Sequence, residues 1–212
     1  MKSTKLFIYQ DKTFFQILEP QVWQYFTTKY QTKRYFKTNS KLMKVLSLII
    51  PKLTRISKQR FMDFFTTTLG SKIYTAEALT PRKESNAKKE QRAVHSIIVA
   101  AHEHVHVLQF RQGRIKFVWR YLTSSLYRAL YEAEAYRVNL LLDPKLLGGG
   151  LGEATILTRL LNYGCSSSDL KQAHAYLASY ATKLGDKGFA TKVYNQVIDL
   201  IQTQYPVVNL ED

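Results

Sequence analysis

Lys89-Glu90-Gln91-Arg92-Ala93-Val94-His95-Ser96-Ile97-Ile98-Val99-Ala100-Ala101-His102-Glu103-His104-Val105-His106-Val107-Leu108-Gln109-Phe110-Arg111-Gln112 is the stretch on which the fold turns. Val94, Ile97, Ile98, Ala101, Val105 and Leu108 recur at three-and-four spacing, the signature of one apolar helix face. Gly113 offers a natural stop. Four histidines lie inside this segment: His95, His102, His104 and His106. A strand would put His102, His104 and His106 on one face. The surrounding period is that of a helix, and on a helix only His102 and His106 converge, about 40° apart around the axis. His104 then points about 160° away from His106 and cannot share a ligand with it.

Two imidazoles at i and i+4 can hold one zinc ion at about 2.0–2.1 Å. Glu103 is about 100° from His102. It is too close in the chain to ligate comfortably, but it can stand beside a water that zinc acidifies, accept its proton and pass it to a leaving amine. The apolar stripe lies opposite Glu103, so the carboxylate is expected to face a cleft. His95 shares the side of His102 but stands roughly 10 Å up the axis. It can line the cleft or serve as a structural histidine.

Outward from this helix, Phe64-Phe65-Thr66-Thr67-Thr68-Leu69 and Lys72-Ile73-Tyr74-Thr75 read as two short strands around a Gly70-Ser71 turn. Thr80-Pro81 offers a helix cap and first-turn proline. Ser85 to Glu90 reads as a loop or an exposed first turn. Ser124 or Ser125 can cap a second helix over Leu126 to Leu142, ended by Asp143-Pro144. Gly148-Gly149-Gly150 and Gly152 form a linker, and Asp169–Leu184 and Ala190–Gln202 read as tail helices. Residues 1–60 mix aromatic runs such as Val22-Trp23-Gln24-Tyr25-Phe26 with lysine and suggest amphipathic helices. The expected class is α+β, mostly α: a small sheet beside a central helix, with residues 1–147 as the metal-binding part. Residues 148–212 are expected as a helical extension packed on it in a single compact unit.

Glu132-Ala133-Glu134-Ala135-Tyr136 follows His106 at a distance that suits a connector and a return helix. With His102-Glu103-His104-Val105-His106, it gives the chain a resemblance to the zincin metallopeptidases, specifically the gluzincin branch. There a Glu from a later helix completes the metal site, often within Glu-x-x-Ala-Asp. His106-Val107-Leu108-Gln109 is also similar to short zincin-like proteins of phage and bacterial genomes. The resemblance spans roughly residues 70–140. It implies a zincin-like fold, a zinc cofactor held by His102, His106 and Glu132, and Glu103 as catalytic base. Glu134 is the alternative ligand, because the two glutamates lie about 200° apart and only one can reach the metal. Tyr136 stands where the family pattern has an acid. It shares a face with Glu132 and can stabilise an oxyanion, orient a ligand or simply pack. In such enzymes an edge strand holds an extended peptide, which makes Ile73-Tyr74-Thr75 the expected substrate strand.

The remaining composition sets bounds. With 212 residues and 45% apolar content the chain can bury a real core. A single cysteine, Cys165, excludes an internal disulfide and a cysteine-based zinc site, and is read as structural. His174 stands in a tail helix with no evident partner. The apolar runs Leu6–Tyr9 and Val45–Ile50 are too short for a signal peptide core or a membrane span. We therefore expect a soluble, cytoplasmic protein, and the phage resemblance also allows a virion-associated one. The net charge is +15, with 19 Lys/Arg against 6 Asp/Glu in residues 1–92 and 12 against 10 in residues 93–212. That asymmetry gives a solvated basic surface or one that meets a polyanion, whether nucleic acid, anionic lipid or cell-wall polymer. The expected function is zinc-dependent hydrolysis of peptide bonds in a peptide or protein substrate. A cell-wall peptide hydrolase is one variant of it. A non-catalytic zincin scaffold that binds nucleic acid or another polyanion through its basic part is the alternative.

Overall fold

Phe15, Leu18, Val22, Phe26 and Tyr30 follow one another at helical spacing and form the inner face of α1, Phe14–Tyr30. This helix lies against the middle of the chain, where Ile97, Ala100, Ala101 and Val105 of α4, Asn86–Thr123, meet it in the main core. The structure, a computed structural model, describes residues 14–76, 79, 85–181 and 188–205. Thr80-Pro81 and the expected tail-helix end at Leu184 lie outside those residues. Between α1 and α4 come β1 (Lys33–Phe36), α2 (Lys41–Leu53), α3 (Lys58–Asp63), β2 (Thr67–Leu69) and β3 (Lys72–Thr75). After α4 come α5 (Ser125–Leu146), α6 (Glu153–Asn162), α7 (Ser167–Ala181) and α8 (Phe189–Gln204). The fold is mostly α with one small sheet.

The sheet has the order β1-β3-β2, with β1 parallel and β2 antiparallel to β3. The β2–β3 hairpin turns at Gly70, whose φ of 64° suits a residue without a Cβ. Alternation along β3 sends Ile73 into the main core and Tyr74 into a second cluster with Met43 of α2, Ile56 and Phe61. Thr68 pairs with Ile73, so its side chain shares the face that looks toward α4.

Two helix ends differ from the sequence expectation. The first is the break in α4, at Arg114 (φ 47°, ψ −129°), one residue beyond Gly113, after which the helix resumes to Thr123. Gly113 is required for a different reason, because a Cβ there would come within 2.8 Å of the Phe117 Cβ. The second is α5, which does not stop at Asp143-Pro144 but runs to Leu146. A proline in the last turn removes only one donor, and the helix ends where Gly148 takes φ 81°. The Ser124 side chain caps α5 by accepting from the Tyr127 N–H.

Residues beyond 147 are built into the same body. Ala190, Val193, Val197 and Ile201 of α8 join the main core, and Ile156, Leu160, Ala173 and Leu177 pack with Ala129, Ala133 and Tyr136 of α5. At the centre His104 is fully buried, with its ring stacked on Phe26 at 4.5 Å. Its Nδ1–H donates to the Ala100 carbonyl at 2.6 Å, so Nε2 accepts from the Thr32 hydroxyl at 3.1 Å. Burial pulls its pKa down to about 4, which keeps it a neutral core group. Phe26→Ala would empty the space between α1 and α4. The expected loss is about 3–5 kcal/mol of unfolding free energy, read from urea denaturation. A loss well under 1 kcal/mol would mean that α1 is not clamped there.

Candidate metal centre

The break at Arg114 and the Ser124 cap send α5 back along α4. This return places Glu132 opposite His102 and His106. Glu132 Oε1 is 3.4 Å from His106 Nε2, and Oε2 is 3.6 Å from His102 Nε2. One ligand atom from each of the three residues lies within 4.8 Å of the others, and all three side chains are buried. Glu132 is only 2% exposed, and its Oε2 has no hydrogen-bond donor. An N···O gap of 3.4–3.6 Å is long for a hydrogen bond. It matches the spacing, about 3.4 Å, of ligands around a tetrahedral ion with bonds of about 2.0–2.1 Å. The donor set of two imidazoles and one carboxylate therefore fits a divalent cation.

The outer ring nitrogens decide which way the imidazoles present their lone pairs. Gln109 Nε2 donates to the Tyr131 carbonyl at 3.0 Å and to Glu134 Oε2 at 2.9 Å, both pure acceptors. Its Oε1 must then face His106 Nδ1, 2.8 Å away, and accept a proton from it. Nε2 is thereby the ring nitrogen turned toward Glu132. Asn139 Oδ1 stands 3.2 Å from His102 Nδ1 and acts in the same way. Burial alone would lower the His106 pKa, but Glu132, then Glu103 and Gln109, outweigh it and lift it to about 9. Burial would raise the Glu132 carboxyl, but His106 and His102 hold it below the ordinary carboxylate range.

Glu103 is 5% exposed, and its Oε2 accepts from the Thr68 hydroxyl at 2.7 Å. The pairing register of β2 with β3 is what aims Thr68 there. A cation follows from the other side of the sheet. Lys37, fully buried, donates from Nζ to the Phe61 carbonyl at 2.8 Å and sits 3.4 Å from the centre of the Phe61 ring. Burial drives the Lys37 pKa down to about 7, with the Glu103 charge opposing part of the drop.

Three tyrosines close the site. The Tyr121 hydroxyl donates to Glu132 Oε1 at 2.5 Å, and its own pKa is pushed well up by burial and then by Glu132. Tyr136 packs its ring 4.8 Å from that of His102 and is pushed up to about 12 by burial and then Glu132. Tyr163, between α6 and α7, is raised well above the usual range by the same two causes and bonds to Tyr136.

No protein-family model, curated protein or solved structure matches this chain. The centre therefore stands on its own geometry.

The structure brings together His102, His106 and Glu132, with Glu103 beside them. It sends Glu134 elsewhere, to Gln109 and to the Phe189 N–H at 3.1 Å, as a support rather than a ligand. His95 stays outside the group, on an exposed position of α4. His174 pairs with Glu153 at 3.4 Å. Cys165 donates to the Ser125 carbonyl, and burial pushes its thiol up to about 11, which suits a structural role. The expectation for Ile73, Tyr74 and Thr75 is corrected. They form the middle strand, paired on both sides, and cannot accept a further strand. Among the described strands β2, not β3, is the edge beside Glu103. Asn139, Tyr121, Thr68 and Lys37 were given no site role from sequence, and Gln109 was noted only as the end of the His106–Gln109 run. Only Gln109, three residues past His106, carried a local signal, as a helical neighbour able to reach it.

The Lys37 shift has a defined consequence. Between about pH 7 and 10.5 the unfolded chain carries a proton on this lysine that the folded chain sheds, so stability rises with pH across that window. Lys37→Met removes the linkage. Its urea midpoint should gain most on wild type at pH 6 and less at pH 9.5. A difference independent of pH would show that Lys37 titrates normally.

Proposed function

We propose that the protein is a zinc-dependent hydrolase of the zincin kind that cleaves peptide bonds. The observation that carries this reading is the buried group of His102, His106 and Glu132 with Glu103 at its side. A pure scaffold has no use for a further buried carboxylate next to a metal-ligand set. His102 and His106 through Nε2, and Glu132 through its carboxylate, would hold zinc. When bound there, the ion supplies Lewis acidity that lowers the pKa of water toward about 7.

The remaining work falls to this chain's side chains. Thr68 fixes Glu103 Oε2, so the other carboxylate oxygen takes the proton from the attacking water. Glu103 then delivers that proton to the amine nitrogen that leaves. Tyr121 holds Glu132 Oε1, and Gln109 and Asn139 hold the two rings, so the site is set before substrate arrives. Among the described strands β2 is at the edge of the sheet, and its Thr68 reaches this carboxylate. That edge is the place where an extended peptide can add as a strand, with main-chain hydrogen bonds setting its register.

Two measurements test the reading. Elemental analysis should find one zinc per chain in wild type, and His102→Ala, His106→Ala and Glu132→Ala should each abolish it. Glu134→Ala should keep it. Unchanged zinc in both histidine variants ends the assignment. Glu103→Gln should keep zinc and fold yet lose about 10²–10⁴-fold in turnover on casein or a mixed peptide library. Zinc-dependent activity that survives this substitution would remove Glu103 from the role of base.

A further inference from the structure

Helix α2 is apolar on both sides. Met43 and Ser47 are buried, and Leu46 and Ile50 pack against the cluster with Phe61 and Tyr74. The other side shows Leu42, Val45, Leu48 and Ile49 at 48%, 55%, 58% and 45% exposure. At about 100° per residue, Leu42, Val45 and Ile49 fall within about 60° of one another, and Leu48 continues the same arc. Lys41, Lys44 and Lys52 on this helix, and Arg55, Lys58 and Arg60 just after it, are all exposed. Between Glu19 and Asp63 the sequence holds ten Lys or Arg and no acid.

We propose that this face of α2 docks the protein on the surface of an anionic lipid bilayer. The combination of an aliphatic arc with a rim of lysines is what an interfacial helix presents. The aliphatic tips enter the headgroup boundary, and the lysine stems lie along them with their ammonium groups at the lipid phosphates. Each lysine near such a surface adds attraction. Charge complementarity selects this occupant over the others. Nucleic acid would meet the lysines but leave the four aliphatic side chains in water. A second copy would set six cations against six of the same sign. No helix among the described residues is long and apolar enough to cross a membrane, so the contact is one of lying on the surface. The face uses none of His102, His106, Glu132 or Glu103 and stands independently of the hydrolase reading.

The test is flotation of the full chain with vesicles of phosphatidylcholine containing roughly a third phosphatidylserine, at low and moderate salt. Wild type should float with these vesicles, less so as salt rises, and not with pure phosphatidylcholine. The triple variant Leu42→Ser, Val45→Ser, Ile49→Ser changes only exposed side chains, and circular dichroism checks its fold. It should bind at least about tenfold more weakly. The double variant Lys41→Ala, Lys44→Ala should lose roughly 25-fold, about fivefold per lysine. Trp119→Ser, at a position 69% exposed on α4, should bind as wild type does. The proposal is overturned by no flotation at low salt, by equal binding to uncharged vesicles, or by a triple variant that floats undiminished. It is equally overturned if duplex DNA is bound while the vesicles are not, or if the aliphatic face proves to drive only self-association in gel filtration.

Discussion

A carboxylate with almost no exposure, facing two imidazoles, is the constraint from which the rest of this structure follows. Taking such a charge out of water costs several kcal/mol unless it is neutralised and hydrogen-bonded. Glu132 has Tyr121 on Oε1 and two rings at distances too long for good hydrogen bonds. Its Oε2 has no donor at all. A cation at the centre would resolve that imbalance by giving both imidazoles and the carboxylate a common partner. The amides behind the rings point the same way. Gln109 is locked by two acceptors, and this turns Nε2 of His106 inward. The arrangement is one that could hold a metal ion.

The same helix that offers these ligands also anchors the core, and the alternation of its histidines is the reason it can do both. His102 and His106 share the cleft side of α4 with Glu103 next to them. His104, between them in sequence, is turned to α1 and stacked on Phe26. The ligands are therefore held by a helix that cannot rotate without dragging a buried ring out of its stack. The C-terminal part of the chain adds a second hold. Phe189, at the start of α8, donates to Glu134, Glu134 accepts from Gln109, and Gln109 accepts from His106. Phe189, far along the chain from the three side chains, thus helps to orient one of the rings.

Much of this was readable from the chain because it depends on short-range pattern. The 3.6-residue period, not the two-residue spacing of His102, His104 and His106, decided that the segment is a helix, and the burial of His104 follows from that choice. The β2–β3 hairpin announced itself through Gly70-Ser71 between two runs of strand-forming residues. β1 did not. Lys33–Phe36 is four residues long, and its partner strand begins 39 positions later, so nothing local marks it. That omission carried a consequence: with β1 unseen, Ile73-Tyr74-Thr75 could be read as an edge, whereas β1 makes them the centre of the sheet. The groups behind the candidate ligands were hidden for the same reason. Asn139 becomes a partner of His102 only once α5 has folded back on α4, and Lys37 nears Glu103 only across the sheet.

Glycine 113 shows how a backbone detail reaches the chemistry. Its missing side chain admits the Phe117 Cβ at a separation that a methyl group would close to 2.8 Å. Phe117 then settles against Phe110, Tyr121 and Tyr131, ring to ring. That packing holds the segment after the Arg114 break in one orientation, with Ile115, Trp119 and Leu122 outward and Tyr121 turned in toward Glu132. A positive φ at a residue with a side chain, as at Arg114, is a strained conformation. Phe117 packs just beyond that break, against the ring of Tyr121, whose hydroxyl reaches Glu132.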